Sequence, residues 1–192
     1  MDLRVARPHA LVAAFVALAA VAPAHAEIID LPDTRAELVL DTRTWRALTV
    51  PPVGTSSGLV YGASTDRERL SITRAQVPNI DAWRSKTRDA YVEQIEKGLA
   101  AAGYKPTSKK LTTIQGVPVL DLEATVDNRA GARSATTSDA KTAKREPIVM
   151  RVILFRTYAL TLAIEGPSSS RRALRAIAKT FVPPPARPEG SP

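Results

Sequence analysis

The chain has 192 residues, with 27 Lys and Arg against 19 Asp and Glu, two His and no Cys, for a formal net charge of +8. Without cysteine there is no disulfide, no thiol nucleophile and no thiol for lipid attachment, so the fold must rest on its apolar core. The basic excess suits anionic partners, but it bears on association rather than on fold.

The first residues follow the order of a secretory signal. Arg4 and Arg7 form a positive start, Ala10 to Val21 an apolar core, and Ala24-His25-Ala26 the small-x-small pattern that signal peptidase accepts. The apolar core falls short of the roughly 20 residues a membrane-spanning helix needs. Residues 1–26 therefore read as a cleaved signal peptide, with Glu27 the first residue of a soluble, exported protein that carries no lipid anchor. The remaining 166 residues hold 25 basic and 18 acidic side chains, enough chain for one core and one domain. Both histidines, His9 and His25, leave with the signal. A Ser-His-Asp triad, a cysteine nucleophile and an imidazole metal ligand are thereby excluded. Any chemistry would fall to carboxylates, lysine, serine or tyrosine.

Glu37 to Leu40 and Trp45 to Val50 read as two short extended segments. Leu59, Tyr61 and Ala63, then Leu70 and Ile72 beyond the polar turn Thr65-Asp66-Arg67, alternate as a hairpin does. Pro78 ends that segment. Trp83, Thr87, Tyr91, Ile95 and Leu99, widened by Ala90 and Ala102, predict an amphipathic helix over 81–102, with Trp83 in the core. Gly103 stands where a left-handed cap is expected. Gly98, which costs about 1 kcal/mol relative to Ala inside a helix, suggests close packing at that point.

Leu111 to Gln115, Gly116, and Val117 to Asp127 read as a second hairpin. Leu120, Leu122, Ala124 and Val126 share one face of its second strand, and Asp121, Glu123, Thr125 and Asp127 the other, as on a sheet with one wet face. Residues 128–146 form a polar, basic insertion without periodicity. Met150, Val152 and Leu154, then Tyr158, Leu160, Leu162 and Ile164, mark two strands joined tightly at Arg156-Thr157, or through a bulge or wider turn. Ser168 to Ser170 can cap a last helix that buries Leu174, Ile177, Ala178 and Phe181 and exposes Arg171, Arg172, Arg175 and Lys179. From Pro183 the chain reads as a flexible Pro-rich tail.

This order of elements resembles the PsbP-like family, which includes the photosystem extrinsic subunit, a yeast Ran-binding protein and DcrB-type periplasmic proteins of bacteria. The residues that carry the resemblance are Gly116-Val117-Pro118 after the helix, the closing hairpin Arg151 to Phe155 and Tyr158 to Leu162, and the final Ile177-x-x-x-Phe181. The family's early Pro-x-x-Trp is absent; Trp45 follows Asp41-Thr42-Arg43-Thr44 instead. The resemblance implies an α+β fold, an antiparallel β-sheet covered by helices in an α/β/α sandwich, over residues 27–182 as a single domain. It also implies a role in binding or assisting other proteins, and it carries over no site residue.

Four sets of residues merit a chemical reading. Ser138 and Lys141 match Ser-x-x-Lys, the familiar nucleophile pair that needs no histidine, but they lie in the insertion, where nothing rigid holds their spacing. Asp121, Glu123 and Asp127 could hold a hard cation or act as acid and base, against the plainer reading of a solvated face or pairing with nearby Lys and Arg. Trp45, Trp83 and Tyr91 could line a ligand site, against core packing. The basic residues Arg129, Arg133, Lys141, Lys144 and Arg145 could contact an acidic protein, anionic lipid or lipopolysaccharide. No aromatic residues interleave with them to stack on bases, so nucleic acid is not expected. The reading that follows is a non-enzymatic binding or accessory protein of the bacterial cell envelope that needs no cofactor and whose partner is another envelope protein. The rivals are an enzyme using carboxylates or the Ser138–Lys141 pair, and a binder of anionic envelope surfaces through the basic loop.

Overall fold

The computed structural model describes residues 25–31, 34, 36–49, 58–76, 85–126 and 146–184. In chain order these form β1 (Ala26–Asp30), β2 (Glu37–Asp41), β3 (Arg46–Ala47), β4 (Leu59–Ser64), β5 (Arg69–Gln76), α1 (Ser85–Ala101), β6 (Tyr104–Ile114), β7 (Val117–Val126), β8 (Ile148–Leu154), β9 (Tyr158–Glu165) and α2 (Arg171–Thr180). Seven strands make one antiparallel sheet in the order β3-β4-β5-β9-β8-β7-β6, and β1 and β2 form a separate two-stranded ribbon. This is the antiparallel, helix-covered α+β architecture expected from the sequence. No helix among the described residues is long and apolar enough to cross a membrane.

The sheet separates two cores, because strand side chains alternate between faces. On one face Leu70, Ile72, Val119, Val149, Ile153, Leu160, Leu162 and Ile164 pack against the β1–β2 ribbon and α2. On the other, Leu120, Leu122, Ala124, Ile148, Met150 and Val152 pack against Val92 and Leu99 of α1. Strand β8 takes part in both, and all seven of its residues are buried.

Helix α1 is described from Ser85, so Trp83 and the expected start of the helix lie outside the described residues. Its buried row runs through Val92 and Leu99, with Tyr91 and Ile95 half-buried. Ala90 and Ala102, expected to widen the stripe, are exposed instead. The helix meets the sheet on its Val92 side, because it lies along the outer strand β6 rather than centrally. Gly98 is also exposed, and a Cβ there would meet nothing within 4 Å, so the expected close packing is not present. Gly103 ends the helix with φ 79°, as its position predicts.

Strand β6 begins at Tyr104, seven residues before the expected Leu111. Pro106 has no N–H to give the ladder, and the register slips by one between Pro106 and Ser108. Gln115 and Gly116, with φ 51° and 80°, then close the hairpin in the two-residue form that needs both residues left-handed. Arg156 and Thr157 do connect β8 and β9 as a two-residue turn, closed by a bond from Phe155 N–H to Tyr158 O at 2.9 Å.

Two expectations at the C-terminal end are corrected. Ser168–Ser170 form a 3-10 turn, and Ser170 makes no side-chain capping bond; the Arg171 N–H donates to Ser168 O instead. Pro183, expected to begin a flexible tail, is buried, and Val182 just before it exchanges two backbone hydrogen bonds with Glu37, while residues 185–192 of that expected tail lie outside the described residues. The C-terminal segment is therefore tied to the ribbon. Thr180 adds to the tie, its hydroxyl accepting from Val39 N–H at 3.2 Å. Strand β1, which no alternation in the sequence announces, completes the ribbon through five register pairs with β2.

Candidate functional site

The sequence singles out Arg129, Arg133, Lys141, Lys144 and Arg145, the Ser138–Lys141 pair, and Asp127; all lie outside the described residues. Trp45 is a core residue, 4% exposed within the cluster under α2, so it lines no ligand site. Tyr91 is half-buried against the α1 core, and that burial pushes its hydroxyl pKa up.

Asp121 and Glu123 do share a face of β7, but the face is not wet. Helix α2 covers it, and each carboxylate meets an arginine. Arg151, the neighbour of Asp121 on β8, donates from Nε to Oδ1 at 2.6 Å and from Nη2 to Oδ2 at 2.9 Å. Arg175 of α2 donates to Oε1 and Oε2 of Glu123 at 2.5 and 2.7 Å. All four carboxylate oxygens therefore accept from guanidinium, and a hard cation would have to displace both arginines to bind. The carboxylate also holds the Arg175 guanidinium above its ordinary pKa, first through the hydrogen bonds and then through charge. No group of three or more potential metal ligands occurs among the described residues. The cleft here, lined by Ser108, Asp121, Glu123, Met150, Arg175 and Lys179, encloses about 80 Å³. That is room for a few waters rather than for a substrate.

Arg151 is the functional group that sequence reading missed. Its signal was there: a single charge in Ile-Val-Met-Arg-Val-Ile-Leu must find a partner if the strand is buried.

The open surface lies at the sheet's end. β6 is an edge strand of 11 residues, hydrogen-bonded to β7 on one side, and from Ser108 to Ile114 its other side pairs with no strand among the described residues. The opposite edge, β3, has only two residues. Beyond the bulge, Ser108 to Ile114 run in regular register with Glu123 to Val117. The pleat puts Lys109, Leu111 and Thr113 on the α1 face, and Ser108, Lys110 and Thr112 on the α2 face.

Each side of this edge has its own chemistry. On the α1 side a groove of about 310 Å³ has an apolar floor of Val92, Leu111 and Leu120, with Asp89, Glu93 and Glu96 on the helix wall. Within it Lys109 Nζ reaches Glu96 at 2.8 Å, and Lys97 pairs with Glu93 at 2.7 Å and holds that carboxyl below its ordinary pKa. Leu111 is 39% exposed, an apolar side chain left uncovered at the groove's rim. On the α2 side stand Lys110, which makes no ion pair among the described residues, and the cations of Arg175 and Lys179.

No protein-family model matches the sequence, and no curated protein matches it. Among solved structures, the chain is similar to cyanobacterial PsbP (CyanoP) from Synechocystis sp. PCC 6803, with a TM-score of 0.57 and 13% identity over 85% of this chain and 95% of that one. LpqN of Mycobacterium tuberculosis, described as involved in cell envelope biogenesis, gives a TM-score of 0.45 at 15% identity, over 84% of this chain and 83% of that one. A Pseudomonas aeruginosa protein of unknown function gives 0.40 at 14% identity, over 84% and 99%. The fold is PsbP-like, as the sequence resemblance implied.

Proposed function

We propose that this protein is an exported, non-enzymatic binding module of the bacterial cell envelope whose partner is another envelope protein. The observation that carries the reading is the contrast between its closed and open parts. Both faces of the sheet are covered, and the most charge-dense cleft is neutralised carboxylate by carboxylate. The edge strand beside it pairs with no strand along its outer side from Ser108 to Ile114 among the described residues. An acid–base enzyme needs a carboxylate within reach of substrate in a cleft that admits it, whereas those of Asp121 and Glu123 are each held by an arginine in a cleft of about 80 Å³.

Export is supported by Arg4, Arg7, the apolar run Ala10 to Val21 and Ala24-His25-Ala26. Cleavage after Ala26 would remove one register pair, Ala26 with Asp41, and leave Glu27 to Asp30 paired with β2. A mature chain without His or Cys fits a module that binds rather than catalyses.

The test is in-cell photo-crosslinking, with the crosslinking residue placed in turn at exposed Thr113 and at exposed Arg172, in the protein expressed with its own leader. The expected result is a mature species in the envelope fraction and a discrete protein adduct from at least one site. Retention of the full-length chain in the cytoplasm, or adducts with lipid alone, would overturn the reading.

A further inference from the structure

Resting on the reading as a binding module, we propose that β6 receives an extended segment of a partner protein as an eighth strand, with acidic and apolar residues alternating along that segment. The outer side of β6 from Ser108 to Ile114, which pairs with no strand among the described residues, supplies the backbone ladder, and in strand addition the pleat decides which side chains are read. Successive residues of an added strand would point to opposite faces of the sheet. Those on the α2 face would stand beside Lys110, with Lys179 behind it, which calls for carboxylates. Those on the α1 face would enter the groove over Leu111, Val92 and Leu120, which calls for apolar side chains. Acidic residues on that face would meet the carboxylates of Glu93 and Asp89 instead.

The same charges disfavour a second copy as the occupant. Antiparallel pairing of two β6 strands through Ser108 to Ile114 would set Lys110 of each chain on the same face and diagonal to the other, two positions apart, and like charges so placed are destabilising. The chain's own 128–146 segment, with five basic and two acidic residues, lacks the charge that Lys110 calls for. Pro106 and the bulge at Thr107 blunt the first half of the strand against indiscriminate pairing, and leave Ser108 to Ile114 as the receiving stretch.

The probes are three labelled ten-residue peptides: Glu and Val in strict alternation, Lys and Val in strict alternation, and the Glu/Val composition in blocks. Binding to the full-length mature protein is read by fluorescence anisotropy, and its place by amide chemical shifts. The alternating Glu/Val peptide should bind, shift the amides of Ser108 to Ile114, and weaken as salt is raised. Lys110→Glu should weaken it by about fivefold and strengthen the Lys/Val peptide, and Leu111→Asn should weaken both. Both positions are exposed, and a melt of each variant confirms that the fold is kept.

Equal binding of the alternating and block peptides, shifts away from β6, or a β6-mediated dimer in sedimentation would overturn the proposal. Envelope crosslinks from Arg172 together with silent peptides would sink strand addition and leave the binding module standing. Silent peptides together with no adduct at either site would sink both.

Discussion

Arg151 and Asp121 form a bidentate pair across adjacent strands, 2.6 Å at the shorter contact, with the arginine side chain 5% exposed and the aspartate 34%. The third guanidinium nitrogen, Nη1, donates to Lys179 O at 2.9 Å and reaches Phe181 O at 3.4 Å. One buried cation thus joins the sheet's centre to the last turn of α2, whose carbonyls have no helical partner. Removing the anion alone strands that cation. Asp121→Asn should therefore cost about 3 kcal/mol, the low end of the range for breaking a buried pair, since water reaches Asp121. Arg151→Met, close in volume and uncharged, should cost less, about 1 to 2 kcal/mol, mostly from the released carbonyls. Urea melts giving the reverse order would show that packing, not charge, holds the site.

The two glycines flanking the end of α1 should respond oppositely to the same substitution. Gly98 lies in the helix with no atom near its missing Cβ, so Gly98→Ala should stabilise by about 0.5 to 1 kcal/mol. Gly103 sits at φ 79°, where a Cβ clashes with the backbone, and Gly103→Ala should destabilise by about 1 to 2 kcal/mol. Thermal melts of both variants check the pair. A destabilising Gly98→Ala would restore the close contact that the sequence suggested.

These pairs show what the sequence could and could not disclose. Strands β4, β5, β7, β8 and β9 were legible because their apolar residues alternate, and α1 and α2 because theirs recur at helical spacing. The first half of β6 was not: an edge strand carries Lys105, Lys109, Lys110 and Pro106 where a central strand would carry apolar residues. β1 was hidden by its position directly after the signal pattern. The acidic face of β7 looked wet because alternation reports polarity, not what lies above it. That α2 would lay Arg175 over Glu123, and β8 present Arg151 to Asp121, depended on pairings between segments 30 and 52 residues apart. The identity of the open edge likewise followed from strand order, which no single segment encodes.

Asp41 offers a local test of pH dependence. Its carboxylate accepts from Thr44 Oγ1 at 2.9 Å and from Arg43 N–H at 3.1 Å, and the Thr44 hydroxyl is the largest cause holding its pKa below the ordinary value. A folded pKa below the unfolded one means that the contribution to stability is present above the unfolded value, near 3.8, and is lost as pH falls through the folded one. Thr44→Val should raise the Asp41 midpoint in a carboxyl NMR titration. An unmoved midpoint would assign the shift to the backbone donors instead.

The N-terminal boundary can be tested through the ribbon. If processing occurs after Ala26, the mature chain keeps four of the five register pairs between β1 and β2, together with Leu31, which is 1% exposed in the core. Thr34 fixes Leu31 from the other side, its hydroxyl donating to Leu31 O at 2.9 Å. Intact mass of the exported protein should therefore begin at Glu27, and that species should melt like the unprocessed chain, because Ala26 pairs with Asp41 at the ribbon's end. Removing residues 27–31 as well should behave quite differently. It takes away Leu31 and strips the neighbouring strand from Leu38 and Leu40 of β2, which are 0% and 1% exposed. Loss of one buried leucine costs about 2 to 5 kcal/mol, and the lost strand pairing adds to it, so the truncated chain should melt well below the Glu27 form. Equal melting of the two forms would mean that β1 is dispensable. A mass retaining Met1 in the exported fraction would mean that residues 1–26 stay on the working protein.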